Sequence, residues 1–372
     1  MSAQPLSPAA VTRPGGVHGD RQYVRIGDLD LECGGHLPDV VVAFESWGRL
    51  NPAADNAILV EHALTGDSHV IGDAGPGHPT AGWWQGLIGP GAPLDTDRFF
   101  VVAANVLGGC QGTTGPSTPA TDGRPWGSRF PFVTIRDQVL AEARLADLLG
   151  VSTWRAVLGG SMGGMRALEW AVTLPDRVRT AVALASTAAS TADQIAWSQA
   201  QLIAIRQDPD FKGGDYYEGE GPTAGLGLAR RIAHLTYRSE AEVSSRFGRS
   251  VQGNENPLGG QGRYAVESYL DHHAQKLVDR FDANSYLVLT EAMNSHDVGR
   301  GRGGVADALA RVSAELVVAG VDSDRCYPPH LSRDLADAVP GARHVLLASD
   351  HGHDGFLVEI EQVGALLTDV LS

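Results

Sequence analysis

The sequence GGSMGG, residues 159–164, separates an apolar run at 154–158 from a helix-like run at 165–171. This order predicts a strand that turns sharply into a helix, with Ser161 at the turn. Such a turn strains the backbone of its central residue and leaves little room for neighbouring side chains, which explains the flanking glycines. The serine hydroxyl then lies at a helix N-terminus, where the helix dipole favours negative charge. The stretch therefore predicts a serine nucleophile.

Short apolar runs recur along the chain, and their length and β-branched composition are typical of strands buried on both faces. They lie at 40–44, 57–60, 99–103, 156–158, 182–185, 316–319 and 345–347. A helix-like segment at 136–149 precedes the fourth run and ends at Gly150, a residue typical of a helix C-terminus. Strands that alternate with helices predict an α/β fold with a doubly wound, mostly parallel sheet.

The pattern changes between about 188 and 304, where helix-like segments and glycine-containing joints replace the strand-like runs. We interpret 188–304 as a helical cap inserted into an α/β core that comprises 21–187 and 305–372. Residues 1–20 are polar and rich in Pro and Gly, without the basic and apolar regions of a signal peptide. We expect 1–20 to form a mobile tail.

Composition limits the classes of function. The formal net charge is −15, from 29 basic and 44 acidic residues, which disfavours binding to nucleic acid or to an anionic membrane surface. No apolar run approaches the roughly 20 residues that a membrane-spanning helix needs. The three cysteines form no C-x-x-C pair, which favours a reducing compartment over a disulfide framework. We expect a cytoplasmic protein.

A serine nucleophile needs a general base, and the base needs an orienting carboxylate. Two loops near the C-terminus supply candidates, each directly after a strand-like run, where sites form in open α/β sheets. The first loop offers Asp322 and Asp324, and the second offers His351 and His353. The residues alone leave both choices open. Their spacing does not match a helical H-E-x-x-H zinc site, so we expect no metal here.

An oxyanion hole needs two backbone N–H groups, one from the residue after the nucleophile and one from a loop after an early strand. Met162 follows the nucleophile directly. The stretch EHALTG, residues 61–66, follows the second strand-like run and places Leu64 in the corresponding loop. We therefore predict that the N–H groups of Leu64 and Met162 bind the oxyanion.

Motifs from about residue 20 to residue 370 resemble the homoserine O-acetyltransferase family, acyl-CoA transferases that begin methionine synthesis from homoserine. Together these motifs are far more specific than any one of them. The matching stretches are FESWG (44–48), HALTG (62–66), NVLGGCQGTTGP (105–116), GGSMGG (159–164), ARR (229–231), TYRS (236–239), SY (285–286), DVGR (297–300), SDR (323–325) and GHDGFL (352–357). The resemblance implies an α/β-hydrolase fold.

The resemblance also implies roles for single residues. The family's triad aspartate falls on Asp324 and its triad histidine on His353, as partners of Ser161. Its carboxylate-binding arginine falls on Arg230, and its amine-binding aspartate on Asp354. These two roles suit homoserine, because an arginine fork matches the carboxylate of a zwitterion.

The implied reaction is a ping-pong transfer of acetyl from acetyl-CoA through acetyl-Ser161 to the hydroxyl of L-homoserine. Acetyl-CoA is a co-substrate, and no bound cofactor is expected. The resemblance further implies a homodimer. For the CoA phosphates, Arg300, Arg302 and Arg311 are candidates, although solvated loop arginines explain them equally well.

Three alternatives stay open. Within the family, the acyl donor or acceptor could differ: succinyl-CoA in place of acetyl-CoA, or serine or deacetylcephalosporin C in place of homoserine. A serine esterase on the same fold is the second, and a clamp of Arg230 and Asp354 argues against it. A non-catalytic binding module is the third, and the complete set of Ser161, Asp324 and His353 argues against it.

Overall fold

The computed structural model describes residues 21–372, so the tail predicted at 1–20 lies outside the described part of the chain. The described residues form strands of two to twelve residues, numbered in chain order. These are β1 (Gln22–Asp30), β2 (His36–Trp47), β3 (Ala57–Glu61), β4 (Ile88–Gly89), β5 (Leu94–Asp95), β6 (Phe100–Ala104), β7 (Ala156–Gly160), β8 (Thr180–Leu184), β9 (Glu315–Val321) and β10 (Arg343–Leu347).

Eight of these strands form one central sheet, in the order β1-β2-β6-β3-β7-β8-β9-β10. The pairs β1–β2 and β2–β6 are antiparallel, and all other pairs in this sheet are parallel. Every residue of β3, β6, β7 and β8 is buried, as expected where helices cover both faces. The predicted fold class, an α/β fold with a mostly parallel sheet, is confirmed.

The seven apolar runs of the sequence fall on β2, β3 and β6 to β10, but β1 was not predicted. Its burial follows the pattern of a partly solvated strand, with only three of nine residues buried. An antiparallel strand at the edge of a sheet has one face open to solvent and therefore carries no continuous apolar run.

The helices of the described residues cover the sheet and fill the long segment between β8 and β9. They are α1 (Ile135–Leu149), α2 (Met162–Thr173), α3 (Ala192–Arg206), α4 (Thr223–Tyr237), α5 (Glu240–Phe247), α6 (Ala265–Val278), α7 (Ala283–Asn294), α8 (Val305–Leu309), α9 (Pro329–Asp337), α10 (Gly355–Val358) and α11 (Ile360–Val370). No helix in residues 21–372 is long and apolar enough to cross a membrane.

Helix α1 shows how local sequence sets these boundaries. Its N-terminus carries a capping box, in which Thr134 and Asp137 satisfy each other's backbone N–H groups. Its C-terminus is capped by Gly150 in the left-handed conformation, with φ 79°, as the sequence predicts. A side chain at this φ would be strained, so glycine ends the helix at low cost.

Helices α3 to α7 all lie between β8 and β9. Apolar side chains of α3, α4, α6 and α7 share one buried cluster with the turn after β7 and the loop after β3. Members of this cluster are Leu64, Met162, Leu202, Ile205, Leu226, Leu277, Tyr286 and Tyr327. The helices thus pack directly over the predicted nucleophile, and their division from the core as a separate cap stays a prediction.

Candidate active site

Ser161 joins β7 to α2 with φ 57° and ψ −120°. This region of backbone conformation is sparsely populated for residues other than glycine, so the surrounding packing must hold it. The packing is tight: a Cβ atom on Gly163 would lie 2.1 Å from the Glu61 carbonyl oxygen, and one on Gly159 would lie 2.5 Å from it. The two glycines therefore let the turn press against the end of β3, which closes the elbow around Ser161.

The structure brings Ser161, His353 and Asp324 together in one hydrogen-bonded row. Ser161 Oγ lies 2.9 Å from His353 Nε2, and His353 Nδ1 lies 2.7 Å from Asp324 Oδ2. All three side chains are buried. The other carboxylate oxygen of Asp324 accepts the N–H groups of Cys326 and Tyr327, each at 2.8 Å. The anchored carboxylate holds the proton on Nδ1, which leaves Nε2 free to accept the serine proton.

The competing candidates have other partners. Asp322 Oδ1 accepts the backbone N–H of Ser349 at 3.0 Å. His351 Nδ1 lies 3.3 Å from Glu242 Oε1. Within the described residues, the position of the base beside Ser161 is therefore taken by His353, and its carboxylate partner is Asp324.

The electrostatics around His353 suit a general base. Burial disfavours the charged imidazole, but the charge and hydrogen bond of Asp324, helped by the charge of Asp354, outweigh burial and raise the pKa of His353 above its ordinary value. The imidazolium that forms when His353 takes a proton is therefore stabilised.

Both predicted oxyanion donors belong to residues near the nucleophile. Met162 is the first residue of α2, so its N–H has no acceptor within the helix. Leu64 lines a narrow cavity of about 40 Å³ together with Ser161, Tyr237 and Tyr327. Leu64 and Met162 therefore stay the predicted donors for the oxyanion of an acyl transfer at Ser161.

A buried charged network, which the sequence reasoning missed, lies beneath this site. Arg166 of α2 is fully buried. Its Nη1 lies 2.6 Å from Glu61 Oε2 and 2.7 Å from Glu142 Oε1, and its Nη2 donates to the His62 carbonyl at 2.6 Å. Because His62 lies two residues before Leu64, Arg166 ties the nucleophile's helix to the oxyanion loop.

His62 itself is neutral and shapes the same loop. Burial, and next the charge of Arg166, lower the pKa of His62 to about 3. Its Nδ1 therefore donates to the Ala63 carbonyl, at 2.8 Å, while its Nε2 accepts the Val106 N–H at 3.1 Å. These bonds hold the loop with both ring nitrogens satisfied. The polar pair Glu61-His62 at the end of an apolar run and an arginine on the nucleophile's helix were the signals available in the sequence.

Arg230 and Asp354 lie in a second cavity, of about 290 Å³. The guanidinium of Arg230 lies 5.5 Å from the centre of the Tyr237 ring, and the Tyr237 ring lies 5.7 Å from that of His353. The cavity thus adjoins the triad. Asp354 is paired with Arg238, whose Nε lies 3.2 Å from its Oδ2. Sequence reasoning gave Arg238 no role, although it lies in the TYRS motif.

Two of the three arginines first considered for the CoA phosphates, Arg300 and Arg302, are used elsewhere. Arg300 pairs with Glu32 at 2.8 Å, and Arg302 pairs with Glu169 at 2.6 Å. Neither lines the cavity of Arg230. Their charges are satisfied by carboxylates of the same chain, which removes the reason to assign them to a ligand.

Within residues 21–372, one cluster of side chains could hold a metal ion. The ligand atoms of Glu45, His69 and His78 lie within 4.8 Å of one another. The Arg21 guanidinium lies 3.8 Å from Glu45 Oε1 and 3.3 Å from His78 Nδ1. A cation of the chain itself therefore already faces these acceptors. We therefore assign no metal to this cluster.

Comparison with known proteins places the chain in a family. Residues 56–360 match the family model described as "alpha/beta hydrolase fold". A homoserine O-acetyltransferase of Thermobifida fusca (strain YX) is 61% identical over 372 residues, which cover 99% of this chain and 98% of the relative.

Two solved structures of lower identity share the whole fold. Homoserine O-acetyltransferase from Bacillus anthracis is 26% identical, with a TM-score of 0.87 over 95% of this chain and 97% of that one. Esterase E22 is also 26% identical, with a TM-score of 0.87 over 95% of this chain and 100% of that one. Together with the serine elbow and the row of Ser161, His353 and Asp324, the matches show that the chain belongs to the homoserine O-acetyltransferase family, within the α/β-hydrolase fold.

Proposed function

We propose that this enzyme transfers the acetyl group of acetyl-CoA to the side-chain hydroxyl of L-homoserine. The observation that carries the proposal is the position of the Arg230 cavity beside the row of Ser161, His353 and Asp324. A nucleophile with its base performs acyl transfer, and an arginine beside it recognises a carboxylate. The relatives named homoserine O-acetyltransferase support this choice of reaction.

The first half of the reaction acylates the serine. His353 Nε2 takes the Ser161 proton as Oγ attacks the thioester carbonyl. The N–H groups of Leu64 and Met162 stabilise the oxyanion of the tetrahedral intermediate. When the intermediate collapses, the C–S bond breaks and His353 returns the proton to the departing thiolate. The products of this half are acetyl-Ser161 and free CoA.

The second half transfers the acetyl group to the acceptor. Homoserine enters after CoA has left, with its carboxylate on Arg230. His353 takes the proton of its hydroxyl, and that oxygen attacks the acetyl carbon. Collapse breaks the bond to Ser161 Oγ, which recovers its proton from His353. Asp354 attracts the ammonium group of homoserine, while its carboxylate also stays paired with Arg238.

The small cavity beside Ser161 supports acetyl as the transferred group. Its volume of about 40 Å³ is suited to a small acyl chain, and its lining contains no Lys or Arg side chain. A succinyl group would bring a second carboxylate into this cavity. Burying that charge without a cation is costly, so the lining favours acetyl over succinyl.

A serine esterase is the second candidate, and one observation favours it: esterase E22 shares the fold over 95% of this chain. In an esterase, water replaces the alcohol as acceptor. Arg230 argues for the transferase, because a guanidinium beside the triad has no use in the hydrolysis of an apolar ester. The homodimer remains a proposal that rests on the family resemblance.

Thiol release measured with acetyl-CoA, with and without L-homoserine, tests the proposal. We expect fast release only when homoserine is present, and none from Ser161→Ala. Arg230→Met should raise the KM for homoserine about tenfold or more, because a charge-assisted hydrogen bond contributes about 1.5–3 kcal/mol. Equal release without homoserine would show a hydrolase instead. An unchanged homoserine KM in Arg230→Met would remove its role in binding the carboxylate.

A further inference from the structure

The cavity of Arg230 carries more positive charge than a zwitterionic amino acid needs. Four cationic side chains line it, namely Arg230, Arg238, Lys276 and Arg280, against the single carboxylate of Asp354. The whole chain has a formal net charge of −15, so acidic partners are in excess elsewhere. A local surplus of cations in such a protein indicates a site for an anionic ligand.

Within the described part of the chain, three of these four cations have no carboxylate partner. Arg238 is paired with Asp354. Arg230 makes no ion pair within residues 21–372, and its Nε is buried without a hydrogen-bond partner there. Arg280 donates to a backbone carbonyl at 2.8 Å and to no carboxylate of the described chain. Lys276, which is exposed, has no ion pair within the same range.

Helix α6 and the turn that follows it supply the outer part of this charge. His273 and Lys276 lie three residues apart on one face of α6, Arg280 lies two residues after the helix ends at Val278, and all three line the cavity. Burial, and next the charge of Arg230, lower the pKa of His273 to about 4. His273 is therefore neutral at pH 7 and can donate a hydrogen bond without adding charge.

The cations divide between two ends of the cavity. Arg230 lies at the catalytic end, because its guanidinium is over Tyr237, whose ring is 5.7 Å from that of His353. Lys276 lies at the mouth, since its side chain is exposed. Homoserine has one carboxylate, and Arg230 suffices for it. Lys276 and Arg280 then need a second anionic group to explain them.

We propose that Lys276, at the mouth of the cavity, and Arg280, which also lines it, bind phosphate groups of the acyl-CoA donor, an inference that rests on the proposed acetyl transfer. Phosphates are suited to these side chains, since an ammonium acts as a point charge and a guanidinium as a planar donor. In a ping-pong reaction CoA leaves before homoserine enters. One cavity can therefore serve both substrates in turn.

Lys276→Met tests the phosphate contact, because methionine keeps the apolar stem and removes the ammonium. We expect kcat/KM for acetyl-CoA to fall about tenfold, the effect of losing one charged contact at a partly solvated site. With S-acetyl-N-acetylcysteamine, a thioester without phosphate, kcat/KM should equal that of the wild type. The KM for homoserine should not change. Lys276→Arg should restore most of the activity with acetyl-CoA.

Lys212→Met is the matched control, because Lys212 is also an exposed lysine but does not line the cavity. It should behave as the wild type with both thioesters. An unchanged kcat/KM for acetyl-CoA in Lys276→Met would overturn the proposal. So would an equal loss with both thioesters, since that result would place the effect on the acyl transfer itself.

A binding measurement separates this proposal from the proposed function. Adenosine 3′,5′-bisphosphate should bind the wild type in calorimetry and bind Lys276→Met about tenfold more weakly. If the bisphosphate binds as expected but thiol release does not depend on homoserine, the phosphate site is supported and the proposed transferase reaction is refuted. If inorganic phosphate at equal ionic strength competes as well as the bisphosphate, the site is a general anion site and the donor assignment is overturned.

Discussion

Removal of the Arg166 charge is expected to destabilise the fold strongly. In Arg166→Met the buried carboxyl groups of Glu61 and Glu142 lose the guanidinium that lies 2.6 and 2.7 Å from them, and the Glu142 carboxylate is left without a cation. Breaking a buried ion pair from one side costs about 3–5 kcal/mol, because a charge stays behind without a partner. The full value applies here, since all three side chains are buried and solvent does not screen them.

Glu61→Gln is the matched control on the same contact. Burial, which the charge of Arg166 only partly offsets, raises the pKa of Glu61 well above its ordinary value of 4.5. The folded protein therefore keeps a proton on Glu61 that the unfolded chain releases above that pH. Glutamine resembles the protonated form, so we expect a loss of less than about 1 kcal/mol, within the range of mild substitutions.

The sign of the pH dependence follows from the same shift. For an acid with a raised pKa in the folded state, the unfolded chain gains stability as it ionises, so the free energy of unfolding falls as the pH rises above 4.5. Glu61→Gln has no such decrease in the free energy of unfolding. The stability of this variant relative to the wild type should therefore improve as the pH rises from 5 to the pKa of Glu61 in the folded protein.

Denaturant unfolding followed by fluorescence and circular dichroism measures both variants. Midpoints can be compared where the slopes agree, because the slope reports the surface exposed on unfolding. A loss below about 1 kcal/mol in Arg166→Met would refute the reasoning about the buried charges. A loss in Glu61→Gln as large as that in Arg166→Met would refute the claim that Glu61 holds a proton.

Three further outcomes follow from the site. Asp324→Asn should lower kcat about 10⁴-fold, because the amide disturbs the tautomer of His353. In the wild type, log kcat/KM should rise with pH until His353 is neutral. Asp324→Asn should shift this rise to lower pH. A rise at the same pH in both proteins would contradict His353 as the base. Gly163→Ala should give little folded protein, since its Cβ would lie 2.1 Å from a carbonyl oxygen of β3; normal yield and melting temperature would contradict this. Ellman titration of the native protein should find Cys33, which is exposed, but not Cys110, whose pKa burial raises to about 12; fast reaction of both would contradict the buried position.

Local sequence determined much of the fold. The elbow could be predicted because a tight turn from a strand into a helix requires glycines beside the nucleophile. These glycines all lie within one stretch of six residues. The buried parallel strands could be predicted because both faces are apolar, which leaves a continuous run in the sequence. Strand β1 was not predicted, because a strand at the edge of the sheet has one face in solvent and lacks a continuous apolar run.

The tertiary structure decided which residues meet. By residue type alone Asp322 and Asp324 are equally plausible, and only the family motifs favoured Asp324. The backbone after β9 decides which carboxylate faces the histidine, 29 positions later in the chain. Arg166 bonds to a carbonyl 104 positions away, and the cations of α4 and α6 share one cavity only after the chain has folded. Patterns of hydrophobicity extend over a few turns or strands, whereas these contacts depend on how distant elements pack. The sequence by itself therefore determined the nucleophile and its strand, while packing selected its partners and assembled the charge around them.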